Sequence, residues 1–260
     1  MPIPVYQVDA FTDRVFGGNP AAICPLDEWL PDATLQAIAA EHNLSETAYL
    51  RRAASGRYDL RWFTPGVEVD LCGHATLAAA LVVLDHLEPG RTEVAFDTRS
   101  GLLTVRRSRD RLAMDFPSRP PAPCQPPAEL AAGLGRAPQA ILQSRDFLAV
   151  YATEDEVRAL SPDMALLKRV PSLGVIATAP GDKVDFVSRF FAPAAGVDED
   201  PVTGSAHSTL IPYWSSRLGK PHLHALQVSR RGGELWCTDR GDRVEIAGQA
   251  VLYARGTILL

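Results

Sequence analysis

Along much of the first 116 residues, hydrophobic and polar positions alternate with the period of two that a half-buried strand requires. Residues 4–11, 21–24, 47–51, 57–63, 93–98, 102–107 and 111–116 read as strands suited to antiparallel pairing. The turn signal Gly17-Gly18-Asn19-Pro20 separates the first two, and Gly101 and Arg109-Asp110 mark later turns. Residues 32–42 break the alternation. Leu35, Ile38, Ala39 and His42 share one face at helical spacing, which predicts an amphipathic helix capped by Asp32 and ending near Asn43. Two other apolar runs, 76–84 and 208–214, follow a Gly-x-Ala step and predict helices, with Pro212 predicting a kink or an early first turn in the second. The second half repeats the mixture, with a helix around 128–134 and strands around 147–151, 174–179, 184–191, 225–230, 233–239, 243–248 and 250–258.

The pattern contains a duplication. Phe63-Thr64-Pro65 precedes Gly73-His74-Ala75 by 10 residues, counted from Phe to Gly, and Phe191-Ala192-Pro193 precedes Gly204-Ser205-Ala206 by 13. An acidic loop precedes each glycine: Glu68 and Asp70 in one copy, Asp198, Glu199 and Asp200 in the other. Each copy reads as a strand end, a polar turn and a helix start, where unpaired backbone N–H groups attract an anion. Two halves built alike suggest a site between them, in which paired helix starts hold one small acid.

Composition narrows the class. A chain of 260 residues, 46% hydrophobic and 22% charged, has enough apolar material for two cores. Six of its 21 prolines lie between Pro117 and Pro127, which marks the linker and predicts domains of 1–116 and 117–249, with a last strand at about 250–260 returning to the first domain. The net charge is −5 and basic residues never cluster beyond pairs, so nucleic acid is not an expected partner. No stretch is long and apolar enough to span a membrane, and the N-terminus lacks a basic segment followed by an apolar one, so a cytoplasmic protein is expected. Cys24, Cys72, Cys124 and Cys237 are too dispersed for a metal knuckle or a disulfide scaffold and read as reduced thiols. No Gly-rich dinucleotide or phosphate loop is present, so NAD and ATP are not implied.

Candidate chemistry gathers at the helix starts. His74 follows Gly73 directly and can exchange a proton near neutral pH. Ser205 is its counterpart, read as a helix cap or a ligand contact. Asp200, four residues before Gly204, is either a proton acceptor or part of a solvated acidic turn. Glu46, at the passage from helix to strand, is either an exposed edge residue or a desolvated proton carrier with a raised pKa. Cys72 reads as packing, with a spare acid/base role as the alternative. His222 and His224 share a strand face but lack a third ligand nearby, while His42, His86 and His207 read as packing or surface residues.

The segments 16–24 (FGGNPAAIC), 43–50 (NLSETAYL), 63–65 (FTP) with 70–79 (DLCGHATLAA), and 191–193 (FAP) with 200–207 (DPVTGSAH) together resemble the phenazine-biosynthesis PhzF-like isomerase family, in the family's order and over nearly the whole chain. The resemblance implies an α+β, diaminopimelate-epimerase-like fold: two similar domains, each a curved, mostly antiparallel sheet around a central helix, with the active site in the cleft between them. It implies a homodimer, no cofactor and no metal. Glu46 matches the family's general acid/base. His74, Asp200 and Ser205 match residues that bind substrate or assist proton transfer, and the Gly73 and Gly204 backbones match those that cradle a small carboxylate substrate. The expected activity is a cofactor-independent shift of a proton within that acid. Two alternatives stand beside it: an amino-acid epimerase or racemase of the same fold, and a non-catalytic carboxylate binder. Related epimerases place a cysteine at each helix start, whereas this chain has Cys72-Gly73 at one and Thr203-Gly204 at the other, which disfavours a two-thiol mechanism.

Overall fold

The computed structural model describes residues 2–260. The chain divides into two compact units, one formed by residues up to Asp115 together with Ala247–Leu260, the other by Phe116–Ile246.

In the first unit, β1 (Pro2–Ala10) is paired antiparallel on one side with β2 (Asn19–Leu26) and on the other with the last strand, β18 (Ala250–Leu259). The sheet continues through β3 (Glu46–Arg52), parallel to β2, and β4 (Tyr58–Phe63), antiparallel to β3 and paired at its end with the short β5 (Glu68–Val69). Next come β6 (Glu93–Thr98), parallel to β4, then β7 (Gly101–Ser108) and β8 (Arg111–Pro117) as antiparallel neighbours. The strands thus do not all pair antiparallel. A parallel step needs a long crossover, and the helices α1 (Asp32–His42) and α2 (Gly73–Val82) provide the two that β2–β3 and β4–β6 require.

All ten residues of α2 are buried, so the helix is apolar on every side and forms the core that β1, β2, β3 and β18 surround. It continues into one wider turn, Val83–Leu87, closed by the Glu88 N–H donating to the Val83 carbonyl at 2.7 Å. A separate cluster under α1 joins Leu35, Ile38 and Ala39 to Ile3, Cys24, Tyr49 and Phe63. Asp32 is not the cap of α1. Pro31 holds that position and Asp32 is the first helical residue, its carboxylate drawn instead to the Arg61 guanidinium at 2.9 Å. The helix does stop at Asn43, which adopts a left-handed conformation (φ 50°) and donates its N–H to the Ala39 carbonyl.

The second unit repeats the order. β10 (Ala140–Gln143) and β11 (Phe147–Val150) are antiparallel, β11 and β12 (Val175–Pro180) parallel, and β12 and β13 (Phe186–Ala192) antiparallel. β13 pairs with the short β14 (Val197–Asp200) and runs parallel to β15 (His222–Gln227), which pairs antiparallel with β16 (Gly233–Asp239) before β17 (Arg243–Gly248). The sequence of pairings from β10 to β16 is that from β1 to β7. The proline-rich stretch carries only β9 (Ala122–Pro123), two residues long. The α1 crossover is matched by two short helices after α3 (Ala128–Leu134): α4 (Glu154–Arg158), capped by the Thr153 hydroxyl, and α5 (Met164–Leu167), capped by the Asp163 carboxylate.

The counterpart of α2 is α6 (Gly204–Leu218), and it runs unbroken through Pro212. Proline at that position cannot bond the carbonyl four residues back, that of Ser208. The Arg119 N–H donates to this carbonyl at 2.8 Å, so the helix loses a bond but leaves no orphan acceptor.

Candidate active site

In the first unit, three separate turns deliver side chains to the start of α2. After Asn43 closes α1, the chain enters β3 with Glu46 as its first residue, its side chain 17% exposed. Because β2 and β3 run parallel with Ala21 opposite Glu46, Asn19, the first residue of β2, lies at the same end of the sheet. Asn19 depends on a tight approach just before it. Gly18 has φ 59°, and a Cβ there would stand 2.1 Å from the Ala10 carbonyl oxygen, so only glycine fits. Gly73 opens α2, with Cys72 extended at the cap position and His74 in the first turn.

These residues converge on the His74 ring, which is 3% exposed. Its Nε2 lies 3.0 Å from Glu46 Oε2. Its Nδ1 lies 3.0 Å from Asn19 Nδ2 and 3.5 Å from Cys72 Sγ. The Glu46 contact is close but off-axis: neither Nε2 nor Oε2 has an aligned hydrogen-bond partner, although both are buried. It is an ion-pair approach rather than a formed hydrogen bond.

Burial pushes the His74 pKa down, but its contacts with Cys72 and Glu46, through charge and side-chain hydrogen bonds, outweigh burial and hold it well above 6.5. The Cys72 thiol is itself pushed up to about 11, first by burial and then by the Glu46 charge, so it is neutral at physiological pH. An imidazolium donates from both nitrogens, so its Nδ1 needs an acceptor; half a turn of the Asn19 amide presents Oδ1 in place of Nδ2.

In the second unit, α6 begins with Thr203 at the cap position and Gly204 as first residue. Ser205 is already inside the helix and does not cap it, contrary to one expectation from sequence. Its hydroxyl accepts from Arg145 Nη2 at 3.1 Å, and Arg145 is forked onto the buried carboxylate of Asp146. Asp200 ends β14, and its carboxylate accepts from the Thr203 hydroxyl at 2.6 Å. Gln227 locks the turn, accepting from the Thr203 N–H and donating to the Asp200 carbonyl, both at 2.8 Å. Neither α2 nor α6 has an oxygen side-chain cap; in α2 the Cys72 sulfur meets the Ala75 N–H, and the start of each helix otherwise keeps the unpaired N–H groups usual there.

The other candidates fall elsewhere. His222 and His224 are on one face of β15; His224 stacks on Trp236 and pairs with Glu234 at 2.6 Å. His42 contacts the Thr47 hydroxyl and His86 stacks on Tyr6. His207 is wholly buried in α6. All four cysteines are free. Asn19, Arg145, Thr203 and Gln227 were not among the candidates from sequence. Asn19 had a signal, since it sits in the Gly-Gly-Asn-Pro turn, but a turn explained it fully; Arg145 and Gln227 reach the start of α6 over long sequence separations, and Thr203 acts locally on Asp200.

A family model described as "Phenazine biosynthesis-like protein" (PhzC-PhzF) matches residues 8–256. The chain belongs to this family. An uncharacterised isomerase of Pseudomonas aeruginosa is 54% identical over 260 residues, covering 100% of both chains. The human phenazine biosynthesis-like domain-containing protein is 40% identical, covering 99% of each. Among solved structures, a PhzF-family protein of Enterococcus faecalis superimposes with a TM-score of 0.96 at 46% identity over 100% of both chains. The fold extends to a predicted epimerase of P. aeruginosa, at a TM-score of 0.77 and 20% identity. At the level these relatives share, the chain is an isomerase of the PhzF family with the diaminopimelate-epimerase-like fold. No helix among the described residues is long and apolar enough to cross a membrane.

Proposed function

We propose that this PhzF-family protein is a cofactor-independent isomerase that moves a proton within a small carboxylic acid, with Glu46 as the general acid/base. The observation that carries the proposal is the Glu46 carboxylate held 3.0 Å from the buried His74 ring at the start of α2. Glu46 takes a proton from a carbon made acidic by its neighbours and, as the resulting carboxylic acid, returns it to a second carbon of the same molecule. His74, whose pKa is held well above 6.5, lies beside Glu46 as a cation that pairs with the carboxylate in the first step. Backbone N–H groups at the start of α2 suit a substrate carboxylate and the negative charge that builds up as the proton leaves. The similar role that the resemblance gives Gly204, Ser205 and Asp200 is part of the proposal, as is a homodimer, which light scattering would report as twice the chain mass.

The test is deuterium incorporation from heavy water into a panel of small acids, dihydro-hydroxyanthranilate and amino acids included, read by mass spectrometry and NMR. Wild type should label one compound, and Glu46→Gln should lower the rate about 10²–10⁴-fold while binding persists. Label at a migrated double bond supports the isomerase, and label with inverted stereochemistry at an unmoved centre gives the epimerase. Equal labelling by Glu46→Gln would remove Glu46 from the mechanism, and binding without labelling by wild type would leave a carboxylate binder.

A further inference from the structure

On the side of the first sheet that α1 covers, part of the surface lies beyond the helix. β1 turns Ile3, Val5 and Gln7 to that side, and Ile3 packs in one cluster with Leu35 and Ile38 of α1. The helix ends at His42, and past its end Val5, Gln7, Ala22, His42 and Leu44 line a cavity of about 260 Å³ together with residues 254–256 of β18. Small neighbours give it room: Gln7 stands opposite Ala22 in β2 and Ala254 in β18, and Val5 stands opposite Gly256. Thr47 pairs with Ala22, and its hydroxyl lies 3.0 Å from His42 Nδ1. Since Thr47 follows Glu46 and successive strand side chains take opposite faces, the cavity lies behind the strand that carries Glu46 and outside the acid/base site.

Two observations call for a ligand. Gly256 sits inside a ten-residue strand, where glycine weakens pairing, yet its backbone is not left-handed and a Cβ there would meet only Val5 Cγ1, at an ordinary 3.8 Å. Neither backbone conformation nor crowding demands this glycine, and a bare strand backbone marks a place that another group approaches closely. The second observation is a set of N–H groups without acceptors. The Gln7 amide, His42 Nε2 and the exposed Arg255 guanidinium have no protein partner among the described residues. With the Thr47 hydroxyl donating to Nδ1, Nε2 carries the hydrogen of the His42 ring. No acid lines this cavity; Glu41 lines a second one that shares His42. Donors beside an apolar floor of Val5, Ala22 and Leu44 suit a carboxylate on an apolar body.

We propose that this cavity is a binding site for a small carboxylic acid with an apolar body, separate from the site that holds Glu46 and His74. The carboxylate accepts from the Gln7 amide and His42 Nε2, and Arg255 supplies the opposite charge. The body of the ligand lies on Val5, Ala22 and Leu44 against the bare backbone of Gly256. At about 260 Å³ the cavity is just under the roughly 300–1,000 Å³ of sites for drug-sized ligands, so its occupant is small. Binding makes and breaks no covalent bond, and it does not depend on the reaction proposed above.

The test titrates the full, nitrogen-15-labelled chain with benzoate and follows its backbone amides by NMR. The amides of Leu44, Ala254 and Gly256 should shift and saturate, while those of Gly73 and Gly204 report separately on the helix starts. Gly256→Val should abolish the shift at Ala254, because valine fills the cavity and suits a strand. Gln7→Leu should weaken benzoate binding by about tenfold, the worth of one hydrogen bond to a charged group. Benzamide, of the same shape without the charge, should bind more weakly than benzoate. Circular dichroism checks that each variant is folded. The proposal is overturned by the absence of saturable shifts at Ala254 and Gly256 in wild type, by their survival at Ala254 in folded Gly256→Val, by unchanged affinity in Gln7→Leu, or by benzamide binding as tightly as benzoate.

Discussion

His207 shows how one buried side chain sets a pH dependence. It is fully enclosed in α6, donates from Nδ1 to the Thr203 carbonyl at 2.8 Å, and burial lowers its pKa from 6.5 to about 4. Between those values the unfolded chain binds the proton and the folded chain does not, so stability present above pH 6.5 is lost as pH falls towards 4. At about 1.36 kcal/mol per factor of ten in proton affinity, the depression from 6.5 to about 4 corresponds to about 3 kcal/mol. In His207→Asn, which keeps a donor near Nδ1, the difference in urea-unfolding free energy between pH 7 and pH 4 should shrink by about that amount. An unchanged difference would mean that His207 is already charged or solvated. His74 behaves oppositely. Its pKa lies well above 6.5, so the cation beside Glu46 is present at low pH and lost as pH rises through that value. The proposed activity should therefore fall on an alkaline limb above neutrality that His74→Gln removes, read as the pH profile of kcat/KM. Glu46 and His74 were recognisable because they stand in contiguous motifs. Asn19 and Arg145 were not, because their roles come from strands and turns that bring distant residues together.

At the scale of elements, Pro212 separates local preference from tertiary compensation. A proline inside a helix ordinarily costs about 3 kcal/mol relative to alanine. Here the carbonyl it strands, that of Ser208, is already satisfied by the Arg119 N–H. Pro212→Ala should thus gain well under that figure, within about 1 kcal/mol of wild type by thermal or urea unfolding, because the restored helix bond competes for an occupied acceptor. A gain of the full amount would show that the Arg119 bond contributes nothing. The helix runs on through Pro212, and no local rule announces that the linker's backbone would fill the gap. The same limit hid α4, α5, β10 and β14. Elements of four or five residues carry little periodicity, and of these β11 registered through its unbroken apolar run, whereas the longer alternating strands and the apolar run that becomes α2 could be read directly. The parallel pairings were also invisible, since alternation reports which face is buried and not which neighbour lies beside the strand.

For the whole molecule, the duplication gave the largest legible feature, two Gly-x-Ala helix starts 131 residues apart that open α2 and α6 in units with the same order of pairings. The chain's path breaks this symmetry at its end, because β18 returns to the first unit and pairs with β1 along its length. Among the described residues, 2–5 pair only with β18, while Tyr6–Ala10 also pair with β2. Ile3 and Ile258 reach the cluster under α1 from these two strands. Truncation after Gln249 should therefore act unevenly. Amides of residues 3 and 5 should exchange with solvent as in an open chain, those of Tyr6–Ala10 that face β2 should stay protected, and those of β12 should be unaffected. Hydrogen exchange followed by NMR reads each directly. The bared β1 edge should also make the truncated protein associate, seen as rising light scattering with concentration, since an unpaired strand is a template for another. Uniform protection along β1 after truncation would mean that β2 and the α1 cluster hold the strand without β18, and that the returning strand has a different task.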